Sequence, residues 1–102
     1  MPRAADPRMT GFEGWLLAFD ASGHGRPDLE RSLDVRRGGE VLRVLDPEVA
    51  AERLTAVWDG RDEDGAFVEP GPARVVARVW RRTRGPSEAV SAFVDVDVVR
   101  VG

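Results

Sequence analysis

The segment Val57–Gly71, VWDGRDEDGAFVEPG, sets Asp59, Asp62, Glu63 and Asp64 among Gly60, Gly65 and Gly71. Closely spaced carboxylates on a glycine-rich stretch suit a hard-cation site or acid–base chemistry. A helix–loop–helix calcium loop needs oxygen ligands at positions one, three and five, glycine at six and a bidentate glutamate at twelve. With Gly65 at six, Asp62 and Asp64 fall at three and five, but Gly60 and Gly71 take positions one and twelve. Both anchoring carboxylates are missing. Asp59-Gly60 and Asp64-Gly65 are also the pairs that tight turns favour, because glycine supplies positive φ and aspartate bonds its own turn. The carboxylates are therefore read as turn chemistry, and a looser calcium site from Asp59, Asp62 and Asp64 stays open beside that reading.

Other reactive constellations are sparse. The chain has no cysteine, which removes thiolate metal sites, disulfides and cysteine nucleophiles. His24 is its one histidine and lies in a glycine-flanked loop, so a zinc site would need two or three carboxylates besides. Ser22, Ser32, Ser87 and Ser91 lie in no nucleophile-elbow context, and no glycine loop precedes a helix as a phosphate cradle would. No enzyme and no cofactor are expected.

The elements that must position these residues are short and mostly of period two. The length of 102 residues suits one domain. Residues 1–10 hold two prolines and two arginines without apolar periodicity, and read as a flexible arm or a segment that orders only against a partner. Residues 11–102 form the domain proper. A first strand is expected around Trp15 and Leu17, followed by the loop DASGHGRPD. Leu33 and Val35, the turn Arg37-Gly38-Gly39-Glu40, then Leu42 and Val44 predict a hairpin. Asp46-Pro47-Glu48 could open a short helix, at most a helical crossover. Strand character resumes over Leu54–Trp58. From Arg74 to Trp80, Val75, Ala77 and Val79 alternate with Arg74 and Arg78; later Val94, Val96 and Val98 alternate with Phe93, Asp95 and Asp97. The phase slips to Val99 and Val101, which suggests a bulge or a change of sheet. About seven short strands separated by turn signals describe an all-β antiparallel sandwich.

On these residues a resemblance appears. WDGRDEDGAFVEPG resembles the signature of the immunoglobulin-like domain of FlgD, the flagellar hook-capping protein, with Trp58, Asp59, Gly60, Asp62, Gly65, Val68 and Gly71 filling the pattern. Phe19, Gly23, Gly25 and Asp28 match the family's upstream loop, and DVRRGGEVLRVL its strand–turn–strand. The likeness spans roughly Phe19 to Trp80 and implies an immunoglobulin-like sandwich that serves as a structural or interaction module. His24 stands where that loop usually carries aspartate, and Pro72-Ala73 where the family has an apolar residue and a tyrosine. Either Trp80 or Phe93 fills the vacated core space, or the position is re-used. The family's capping role belongs to a separate region that this chain is too short to include.

The expected core is Trp58, Val75, Val79, Val94 and Val96. The expected interface is Trp80 with Arg78, Arg81, Arg82 and Arg84, because tryptophan and arginine are over-represented among interface anchors. An acidic neighbouring subunit would suit that patch. The formal charge of −3 argues against nucleic acid, although all 15 basic residues are arginine. No apolar run is long enough for membrane insertion. The N-terminus lacks a general secretory signal, so the chain is expected in a particle, exported by a specialised route, or in the cytoplasm. The partners expected are protein subunits of an assembly such as a phage particle, tail or flagellum-like appendage, with a homo-oligomer among them. The alternative is a glycan- or calcium-binding module that uses the turn loops.

Overall fold

The computed structural model describes residues 3–20, 29–50 and 53–100. Among them eight strands form two sheets: β1 (Arg3–Ala5), β2 (Trp15–Asp20), β3 (Leu29–Arg37), β4 (Glu40–Leu45), β5 (Glu48–Ala50), β6 (Arg53–Trp58), β7 (Gly71–Arg81) and β8 (Val90–Val98). The larger sheet runs β1-β8-β7-β3-β4 and the smaller β2-β6-β5. The fold is an all-β two-sheet sandwich. Every strand pair is antiparallel except β1 with β8, which is parallel.

The core follows from the alternation of apolar residues on the facing sides. Trp15, Leu17, Phe19, Leu54, Ala56 and Trp58 come from the smaller sheet. Leu33, Val35, Leu45, Ala73, Val75, Ala77, Val96 and Val98 meet them from the larger. Each large side chain so buried contributes about 1.5–3 kcal/mol. The β3–β4 hairpin closes as its sequence predicts. Gly38 and Gly39 both have positive φ, 57° and 86°, which a two-residue turn of the hairpin-matching hand requires.

Three expectations are corrected. The arm over residues 1–10 is, from Arg3 onward, part of the sandwich: Arg3–Ala5 pairs with Val96–Val98. Asp6 and Pro7 are buried, and the Trp15 indole N–H donates to the Arg3 carbonyl (3.3 Å). The partner that orders this segment is the chain's own last strand. Second, Glu48–Ala50 is strand, not helix, paired through Glu48 with Thr55 and Val49 with Leu54. Two turns of helix are too few to be stable alone, so pairing with β6 wins.

β8 alternates to Val98 as expected, and the phase slip expected at Val99 and Val101 reaches residue 101, which lies outside the described residues. A register shift not expected from the sequence lies in the β3–β4 hairpin. There Val35 faces Arg43 and Arg36 faces Val41, leaving Leu42 as the extra residue of a bulge. Third, Val79 is half-buried and outside the core, although Trp58, Val75 and Val96 are fully buried and Val94 packs against them. Burial along β7 stops at Ala77. The eleven-residue strand outruns the six-residue strands of the facing sheet, and its last inward residues have no described strand above them. His24 and the rest of the loop 21–28 lie outside the described residues.

Candidate protein-docking surface

The acidic loop is built from its turns. Asp59 Oδ1 accepts the Arg61 N–H (3.0 Å), and Asp62 Oδ1 accepts those of Asp64 (2.9 Å) and Ala66 (3.1 Å). Gly60 and Gly65 take φ of 83° and 85°. The indole N–H of Trp58 donates to the Arg61 carbonyl (2.9 Å), which ties the loop to the core. A guanidinium nitrogen of Arg43 lies 3.4 Å from Asp59 Oδ1, 3.3 Å from the Arg61 carbonyl and 3.4 Å from that of Asp62. The place between these three oxygens is held by a cation of the chain itself. Among the described residues no group of three or more histidine or acidic side chains is set to hold a metal ion.

Glu63 has a different task. Its backbone N–H donates to the Leu42 carbonyl (3.1 Å), and its carboxylate accepts the Val44 N–H. The loop thus satisfies two outward backbone groups, the Leu42 carbonyl and the Val44 N–H, on β4, which is an edge strand of the larger sheet.

The outer face of that sheet is the more informative surface. Strand register places Asp34, Val44 and Val76 in one row and Arg74 with Asp95 and Arg36 in another. Phe93 lies opposite Val76, and Trp80 opposite Glu30. Val44 and Phe93 are 60% and 55% exposed on this face. Val76, in the row between Phe93 and Val44, is half-buried, as is Trp80 farther along β7.

Charges on this face are organised in pairs. Asp34 is buried although it points outward, because Arg36 grips it through two nitrogens (2.5 and 3.0 Å) and Arg78 approaches to 3.8 Å. That grip raises the Arg36 guanidinium pKa. Arg74 bonds Asp95 (2.8 Å) and lies 3.8 Å over the Phe93 ring. The hydrogen bond from Arg74 holds the Asp95 carboxyl below its ordinary value. A lowered carboxylate pKa means that the bridge's contribution is present above the unfolded-state value and is lost as pH falls through the folded-state value. In an NMR titration the Asp95 carboxyl is therefore expected to protonate below the usual aspartate range, and Arg74→Ala to return it there. The pair is exposed, so little global stability follows the titration.

The expected arginine patch divides. Arg78 and Trp80 share the outer face, but Arg81 projects to the opposite side. Arg82 is bonded to Glu30 (2.7 Å), and Arg84 pairs with Glu88 (3.5 Å) in the turn that carries the 3-10 helix Pro86–Glu88. WRRTR is contiguous in sequence, but a strand turns neighbouring residues to opposite faces. Trp80 and Phe93 both lie on the outer face, away from buried Ala73, so neither fills the core space left beside that alanine. The residues missed were Val44, Phe93, Arg74 and Asp95. Their signal was the polar phase of β7 and β8, where a phenylalanine stands in line with charges. No family model, curated protein or solved structure matches this chain.

Proposed function

We propose that this chain is a non-catalytic interaction module of the FlgD-type immunoglobulin-like class, docked as a subunit of a larger protein assembly such as a particle, tail or appendage. The single observation behind this reading is the outer face of the five-stranded sheet, which carries exposed Val44 and Phe93 and half-buried Trp80 and Val76 among arginines. Large apolar groups interspersed with arginine are the composition of interface centres. Arg36, Arg74 and Arg78 would exchange part of their internal pairing for carboxylates of the neighbouring subunit, which sets orientation. The family part of the reading rests on the Trp58–Gly71 signature and on Trp58, the signature tryptophan, anchoring the two turns. Less supports calcium or glycan binding on the turn loops, whose oxygens serve backbone N–H groups and Arg43.

The test is quantitative cross-linking of the tagged chain within its native source, with recovered subunits identified by mass spectrometry. Val44→Glu/Trp80→Ala should fold like the parent and lose at least about tenfold of its cross-links to shell or appendage subunits. Undiminished cross-linking by the folded double variant would remove the outer face from the proposal.

A further inference from the structure

The larger sheet has two edges, and the described residues treat them unequally. On β4 the Leu42 carbonyl and the Val44 N–H are taken by Glu63. On β8, strand β1 covers only Val96 to Val98. Among the described residues nothing pairs with the outer edge of Val90–Asp95, where four of the six residues are exposed. An unblunted strand edge is a template for another strand.

The direction of its backbone groups can be read from its paired end. The Val99 N–H donates to the Ala5 carbonyl (3.0 Å), so Val99 faces the β1 side. Backbone groups alternate along a strand, so Asp97, Asp95, Phe93 and Ser91 face the same side. The free edge therefore presents Ser91, Phe93 and Asp95, a set symmetric about Phe93. It is bounded by the Pro86–Glu88 turn at one end and by β1 at the other.

We infer that this edge pairs with the same edge of a second copy, antiparallel, about a two-fold axis at Phe93. This deepens the docking reading by naming one of its partners; its backbone pairing uses the edge of the sheet, while the Phe93 side chains it brings together lie on the outer face. In this register Phe93 meets the partner's Phe93 as a hydrogen-bonded pair, and Ser91 meets the partner's Asp95. No like charges stand opposite one another, and a serine hydroxyl faces each carboxylate. Centring the axis on Val94 would set both Ser91 and Ala92 against partner positions that β1 covers, Asp97 and Val96, whereas centring it on Phe93 meets β1 only where Val90 reaches the partner's Val96. Centring it on Ala92 leaves Asp95 without a place in the free stretch. On the outer face each Phe93 carries its own Arg74 above it, so two guanidinium groups flank the aromatic pair without meeting an unpaired acid. The result would be one sheet continuous through both copies.

The chain has no cysteine, which makes single-cysteine variants unambiguous. Purified full-length Phe93→Cys, treated with a short thiol-bridging reagent, should give covalent dimers. Ser91→Cys should not, because its two copies lie roughly 14 Å apart in this register. Sedimentation of the parent from about 10 µM to about 1 mM should show a weak, concentration-dependent dimer, as a small interface predicts. Phe93→Arg, which sets two cations face to face on the axis, should reduce that dimer at least about tenfold with an unchanged circular dichroism spectrum. A parent that stays monomeric throughout, or equal cross-linking of the Phe93→Cys and Ser91→Cys variants, would overturn the pairing. Neither result bears on the outer face, whose test is made in the assembly with Phe93 intact.

Discussion

Trp58→Ala should lower the stability of this chain by about 3–5 kcal/mol, enough to move the melting temperature by roughly 15–30 °C. Trp58 is fully buried and stacks on Trp15 with ring centroids 5.1 Å apart and planes 23° apart. Phe12 in turn meets Trp15 edge-on at 4.8 Å. Truncation opens a cavity beneath this aromatic group that rigid strands cannot close. It also removes the indole donor to the Arg61 carbonyl, so the acidic loop loses its tie to the core. Trp58→Phe, which keeps most of the packing and loses that bond, should cost less, about 1–3 kcal/mol. Thermal and urea melts of both variants check this. A Trp58→Ala protein melting with the parent would show that the stack does not hold the sandwich.

Gly60→Ala should cost about 2–4 kcal/mol, far more than a methyl group usually does on a turn. Two causes add. Gly60 has φ of 83°, where an L side chain is strained, and an added Cβ would lie 2.4 Å from Pro7 Cβ and 2.7 Å from its Cγ. Gly65 has nearly the same φ but open space around it, so Gly65→Ala isolates the backbone cause at about 1 kcal/mol. The difference between the two variants measures how firmly the N-terminal segment is packed on the loop. Pro7→Gly in the Gly60→Ala background should recover part of the loss, which a double-mutant cycle reads directly. Equal costs at Gly60 and Gly65 would mean that Pro7 does not press on the loop.

Much of the sandwich is legible in the sequence because burial on one side of a strand writes a period of two. Val75 and Ala77 alternate with Arg74 and Arg78, and the structure buries the first pair. The Gly38-Gly39 turn is equally plain, since few residue pairs tolerate two positive φ angles in succession. Arms and crossovers are less legible. Arg3–Ala5 carries no apolar pattern, and its strand exists only because Val96–Val98, at the far end of the chain, offers an edge. Glu48–Ala50 reads as a helix start until β6 is beside it.

Short-range sequence accounts for the alternating strands, the turn glycines, the burial of Trp58 and the Asp59 carboxylate's bond within its own Asp-Gly turn, whereas the second turn is bonded by Asp62 and not by Asp64. Each depends on residues close together in the chain, where local sterics and side-chain periodicity act. Which charges meet, and which edge is left open, came from the packed sheets instead. Packing put Arg43 between the loop oxygens, hid Asp34 beneath Arg36 and split WRRTR between two faces. It also capped β4 with Glu63 while leaving Val90–Asp95 unpaired along its outer edge among the described residues. The physical reason is register: sequence tells which side of a strand a residue occupies, but only pairing tells what lies across from it.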